Sequence, residues 1–193
     1  MKVIITILAL AFAPLLMAQQ INKSAERLIG GTENEAIHQS LQALNGSVYA
    51  VGETYSQTKG GSDGYLIILN PFGQEVAEKR FGGAEDDVFQ SIAALPNGNF
   101  VLVGSTKSKG NGRADAWVVY IDDKGTVLSE KTYGTKGNDA FNVVVANDEG
   151  HVFFAGFQDE QNLSDLWVVK EIEGKMAFDK QFTIGRQIGR AHV

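Results

Sequence analysis

The chain has 193 residues and a net charge of −6, with 44% hydrophobic and 21% charged residues, 22 glycines, three prolines and no cysteine. This composition is globular and excludes a disordered, collagen-like or multi-span membrane chain. The acidic balance argues against a sequence-independent grip on nucleic acid, and the missing cysteines exclude a disulfide framework.

Met1 and Lys2 precede an apolar run from Val3 to Met17 that ends at Ala18, before Gln19-Gln20. A positive charge, a short apolar core and a small residue at the cut are the features of a secretory signal peptide. The run also falls short of the roughly 20 residues that span a bilayer. The expected division is a signal peptide over 1–18 and a short segment over 19–26. The protein is therefore expected to be secreted or on the cell surface, with the periplasm as a further compartment, and without a membrane span.

From residue 27 onward the chain repeats itself. Aromatic-or-apolar followed by glycine recurs at Ile29-Gly30-Gly31, Phe81-Gly82-Gly83 and Tyr133-Gly134-Thr135. An apolar stretch closed by glycine recurs at Val48–Gly52, Phe100–Gly104 and Val152–Gly156. Acidic, aromatic and aliphatic residues follow in that order at Asp63-Gly64-Tyr65-Leu66-Ile67, Asp115-Ala116-Trp117-Val118-Val119 and Asp165-Leu166-Trp167-Val168-Val169. Each unit closes on acid-lysine, at Glu78-Lys79, Glu130-Lys131 and Asp179-Lys180. Glycines 52, 104 and 156 give a period of 52 residues, and the units run over 27–79, 80–131 and 132–180. Residues 181–187 look like the start of a fourth.

Within the second unit the pattern predicts four strands, over 88–95, 100–105, 115–121 and 126–133. Pro96-Asn97-Gly98-Asn99 and Asp122-Asp123-Lys124-Gly125 serve as tight turns. No stretch carries a sustained helical period, so the chain is read as all-β. Trp117, Val119 and Ile121 fall on one face of the third strand, and Ala116, Val118 and Tyr120 on the other. A sheet that is apolar on both faces needs a neighbour on each side. Four antiparallel strands in about 50 residues, repeated and stacked, predict a β-propeller built of four-stranded blades, of which three are complete.

The pattern resembles the tandem β-propeller repeats of bacterial secreted and cell-surface proteins. Phe81-Gly82-Gly83, Pro96-Asn97-Gly98, Gly104-Ser105-Thr106 and Asp115-Ala116-Trp117-Val118-Val119 carry the resemblance best. The first unit departs with Tyr65 in place of tryptophan, and the third with Thr135 and Phe157-Gln158. The hexapeptide Ile188–Val193 looks like one reading frame of a sequencing adapter, so residues 188–193 are read as a non-native tail. Closed propellers use about four to eight blades, so further blades are expected beyond these three, and the fragment alone should self-associate through uncovered faces.

A residue shared by every unit is expected to build the unit, and a residue peculiar to one unit is free to serve a site. The shared aromatics Tyr65, Trp117 and Trp167 are assigned to inter-blade packing, and Asp63, Asp115 and Asp165 to turns. His38, His151 and His192 are isolated, and no acidic turn has the ligand pattern of a calcium loop, so no metal, cofactor or catalytic residue is assigned. The candidate ligand-binding face comprises the loops between second and third strands and those between units. They offer Tyr55, Gln57 and Lys59, then Glu85, Asp86 and Asp87, then Lys107, Lys109 and Arg113, then Lys136, Asn138 and Asp139. Asp159, Glu160 and Asn162 are expected in a third such loop. The function expected is a non-enzymatic binding or adhesion scaffold for a protein or glycan. The alternative is part of a propeller enzyme, such as a glycosidase, polysaccharide lyase or quinone-dependent dehydrogenase, with its catalytic residues in further blades.

Overall fold

The structure is a computed structural model that describes residues 30–58, 60–160 and 163–182. The expected signal peptide, the segment 19–26 and the tail 188–193 lie outside the described residues. Twelve strands and no helix are present among the described residues: β1 (Glu35–Gln42), β2 (Val48–Thr54), β3 (Asp63–Leu69), β4 (Glu75–Phe81), β5 (Asp87–Ala94), β6 (Phe100–Thr106), β7 (Asp115–Ile121), β8 (Val127–Tyr133), β9 (Asp139–Ala146), β10 (Val152–Glu160), β11 (Leu163–Ile172) and β12 (Lys175–Phe182). They form three antiparallel sheets, each four consecutive strands in chain order: β1–β4, β5–β8 and β9–β12.

The strands expected in the second unit are all present, with ends within one residue of the expected ones. One boundary is corrected. Phe81 and Tyr133, which open the sequence repeats, end the last strand of the preceding sheet, and Phe182 ends β12 in the same way; residues 183–187 of the expected fourth unit lie outside the described residues.

The hairpin turns share one chemistry. Asn70, Asp122 and Asn147 each accept backbone amides two and four residues on, as Asp122 does from Lys124 at 2.9 Å and Thr126 at 2.7 Å. The following glycine supplies the left-handed residue that closes the turn, with φ of 74° at Gly125.

The sheets stack face to face. The face of the first sheet that meets the second carries Tyr49, Val51, Leu66 and Ile68, packed against Phe89, Phe100, Leu102, Trp117, Val119 and Ile121. The other face of the second sheet carries Val101, Val103, Ala116 and Val118, packed against Phe141, Val144, Phe154, Trp167 and Val169 of the third. Trp117 lies parallel to Phe89 at 4.4 Å and Trp167 lies beside Phe141 at 4.6 Å. Full burial of one such aromatic contributes up to about 4–6 kcal/mol. The indole N–H groups donate to Glu130 and Asp179, both at 2.6 Å, which explains the acid that closes these repeats. Polar contacts fix the stacking register: the Ile92 amide donates to Gln39 at 3.0 Å and the Val144 amide to Ser91 at 3.1 Å. First strands adjoin across each seam, β1 with β5 and β5 with β9, while the first and third sheets share no pairing, so the stack is open.

The repeated glycine of the second strand answers a close approach. Register shifts in β1, β5 and β9 push a carbonyl towards it. A Cβ at Gly104 would stand 1.9 Å from the Val88 oxygen, and Gly52 and Gly156 meet Ala36 and Ala140 in the same way. Gly104→Ala is therefore expected to destabilise by about 3 kcal/mol. Gly98→Ala, with φ of 84° and nothing within 4 Å of the added carbon, should cost only about 1 kcal/mol. Urea denaturation of the two variants checks the difference.

Candidate functional site

The loops expected to bind ligand do converge on one end of the stack. The connection between β2 and β3 meets the one between β4 and β5, with the Asp87 amide donating to the Ser62 carbonyl at 2.7 Å. The connection between β6 and β7 meets the one between β8 and β9 in the same fashion, with the Asp139 amide on the Ala114 carbonyl at 2.8 Å and the Arg113 amide on the Gly137 carbonyl at 2.9 Å.

Beneath this surface lies a repeated carboxylate. Glu35, Asp87 and Asp139 occupy the same position at the start of a first strand, 52 residues apart. Asp87 is fully buried and accepts from the Gly83 amide at 2.8 Å, the Ser108 hydroxyl at 2.6 Å and the Thr106 hydroxyl. Glu35 accepts from the Gly31 amide and from Thr54 and Ser56, the same set one unit earlier. The Ser56 hydroxyl and the Gly31 amide hold its carboxyl below the usual range. Asp139 accepts from the Thr135 amide at 2.5 Å and the Asp159 amide at 2.9 Å, yet burial pushes its carboxyl up. Each carboxylate ties the segment that precedes its first strand to the end of β2, β6 or β10 or to the residues just after it. Asp87 and Asp139 thus point into the fold, with their oxygens engaged.

The other expected residues divide into two groups. Asp86 and Lys107 pair at 2.7 Å, and the Ser62 amide adds a bond to Asp86; Lys107, then this amide, lower the Asp86 carboxyl, while Asp86 raises the Lys107 amine. Lys109 pairs with Glu130 and lies 5.0 Å from the Trp117 ring centroid. Asn138 is half-buried, and its carbonyl accepts the Asp159 amide at 3.1 Å. Tyr55, Gln57, Glu85, Arg113 and Lys136 are exposed, with Gln57 at a φ of 57°. Lys59 lies outside the described residues. The turn at Asp115 is as expected, since the Asn111 and Gly112 amides donate to its carboxylate at 3.1 and 2.8 Å.

The third loop is a correction. β10 runs to Glu160 and β11 begins at Leu163, so Asp159 and Glu160 belong to a strand. Phe157-Gln158, where the first two units have Glu53-Thr54 and Ser105-Thr106, continues the alternating pattern and lengthens the hairpin.

The sequence reading overlooked a cluster at the opposite end. Glu171, buried completely, accepts from Tyr120 at 2.5 Å, from Lys131 at 2.8 Å and from Tyr133. Burial raises its carboxyl, but Lys131 and the two hydroxyls outweigh this and leave it below the usual range. The cluster clamps the second sheet to the third beside a groove of about 460 Å³ between hairpin turns, lined by Tyr120, Leu128, Asp148 and Glu173 among others. The repeat itself carried the signal, because Glu171 stands where Leu69 and Ile121 stand in the other units.

No family model and no curated protein matches the chain. Among the described residues no group of three or more His, Cys, Asp or Glu is arranged to hold a metal, and no helix is long and apolar enough to cross a membrane.

Glu171→Ala should destabilise the protein by about 3 kcal/mol at neutral pH, because it leaves an ammonium and two hydroxyls without their shared acceptor. A depressed carboxyl contributes stability above its unfolded pKa and loses it as pH falls through the folded one. Chemical denaturation across pH should show the gap between wild type and variant shrinking below the usual carboxylate range.

Proposed function

We propose that the three sheets are blades of a β-propeller, and that the protein is a non-enzymatic scaffold of a secreted or surface-exposed bacterial protein. It binds a protein or glycan through the loop end of the stack. One observation carries this reading: the carboxylates shared between units are consumed in tying loops together, while the side chains left exposed above them differ from unit to unit. Tyr55 and Gln57 belong to the first unit, Arg113 to the second, and Glu85 and Lys136 to the loops between units. A rigid base with variable, exposed loops of mixed charge is the arrangement of a recognition surface. Tyrosine and arginine are the side chains that most often dominate such surfaces.

The engagement of Asp87 and Asp139 favours this reading over a glycosidase that uses them. Two catalytic carboxylates need to face a substrate across about 5–10 Å, whereas these two accept backbone amides and hydroxyls inside the fold. The resemblance to secreted propeller repeats and the expected signal peptide support export.

A glycan and protein array tests the proposal, together with a hydrolase screen on the same preparation. Tyr55→Ala and Arg113→Ala should each weaken binding about tenfold or more without changing the melting temperature. Asp87→Asn should lower stability. Turnover that Asp87→Asn abolishes in a folded protein would replace this reading with the enzymatic one.

A further inference from the structure

The groove at the hairpin end marks a place where the two seams differ. Between the first and second sheets Tyr49 lies against Phe100, with ring centroids 4.0 Å apart, and its hydroxyl donates to the Asp123 carbonyl at 2.8 Å. Ile68 and Ile121 pack in the same cluster. One repeat on, Val101 stands in place of Tyr49 and Val152 in place of Phe100, while Tyr120 replaces Ile68 and Glu171 replaces Ile121. The second seam thus loses two rings and regains one, and Val101 has no hydroxyl with which to repeat the bond to the facing turn. Val152, Tyr120 and Glu173, the counterpart of Asp123, all line the groove.

The walls combine two chemistries. Pro96, Leu128, Val152 and the ring of Tyr120 are apolar, and Leu128 is 53% exposed. Asp148, Glu149 and Glu173 stand at exposed turn positions around them, and none of the lining residues is a lysine, arginine or histidine. Lys131, beside the groove, is taken up by Glu171 at 2.8 Å and the Gly174 carbonyl at 2.5 Å. His151 pairs with Glu149 at 3.2 Å, whereas neither Asp148 nor Glu173 has an ion pair among the described residues. Glu173 also sits at a φ of 51°, a left-handed conformation that suits asparagine or glycine and strains glutamate. Turn geometry alone would favour another residue there, which points to a use for the carboxylate.

We propose that the groove binds a small aromatic amine, a planar ring that carries a protonated nitrogen. The ring fills the space between Tyr120, Leu128 and Val152, where the second seam has one ring fewer than the first. The ammonium meets Asp148 and Glu173, whose charge has no partner within the fold. A volume of about 460 Å³ lies in the range of small-molecule sites. Charge complementarity sets the sign of the ligand, because an anion of the same shape is repelled by the surrounding carboxylates. These acids are exposed, so added salt screens them and weakens binding. The site lies within one seam and at the end opposite the loops. It therefore depends neither on what the loop end recognises nor on how the stack continues beyond the third sheet.

Tyramine, titrated into the full chain and followed by amide NMR shifts, tests the proposal. Saturable binding with a Kd of about 1 mM or tighter is expected, with shifts centred on the turns at Asn97, Gly150 and Gly174. The same ring with an anion, para-hydroxyphenylacetate, and the charge without the ring, butylamine, should each bind about tenfold more weakly or not at all. Asp148→Lys and Glu173→Asn should each weaken tyramine about threefold or more. Glu173→Asn should do so without lowering the melting temperature, since asparagine suits the turn. Val152→Phe, which returns the ring of Phe100 to this position, should abolish binding, while Tyr55→Ala and Arg113→Ala at the loop end should leave it unchanged. No shift at these turns up to about 10 mM tyramine overturns the proposal. So does equal binding of the anion, or unchanged affinity when Asp148→Lys and Glu173→Asn are combined. Binding of the peptide acetyl-Tyr-Lys-amide where tyramine fails to bind also overturns it, and would assign the groove to a protein chain instead.

Discussion

The structure depends on a sheet that is apolar on both faces. In the second sheet Val101 and Val103 point one way and Leu102 and Trp117 the other, and all four are fully buried. Such a sheet cannot exist alone in water, because covering one face leaves the other wet. Flanking sheets on both sides resolve this, and the repeat supplies them from the same template. The stacking then sets the remaining features: first strands lie side by side, loops between second and third strands collect at one end, and hairpins collect at the other.

Once the loops are gathered, their backbone groups need partners. The carboxylate at the start of each first strand meets that need by accepting from the glycine or threonine amide of the loop before it and from groups at the end of the second strand. The resulting platform leaves the exposed side chains above it free of structural duty. Stability and recognition are thereby separated within the same loops: Asp87 belongs to the fold, while Arg113, two residues before the buried Asp115 that opens β7, presents its side chain to solvent.

Much of this was legible in the sequence because the chain repeats. Register between Gly52, Gly104 and Gly156 located the second strands, and Asn-Gly and Asp-Asp-Lys-Gly turns located the hairpins. Two things were not legible. The third unit's loop looked polar enough to stand free, but Phe157 continues the alternation and draws Asp159 and Glu160 into the strand. The buried Glu171 was not legible from the variable loops, because its departure from Leu69 and Ile121 lies inside a strand. A lone acid at an apolar strand position implies donors nearby, and the unshared Tyr120 and the hydroxyl that Tyr133 alone carries at its repeated aromatic position could have been paired with it. The acid of the Glu-Lys motif is likewise explained only by the indole N–H that meets it.

Native-state hydrogen exchange tests the central claim most directly, because it reads the protection of each strand separately. If burial on both faces holds the structure together, the amides of β6 and β7, at Leu102 and Val118 for example, exchange only through global unfolding and are the slowest in the chain, while those of β12 exchange faster. Exchange at β6 and β7 as fast as at β12, or three sheets that open independently, would contradict the account.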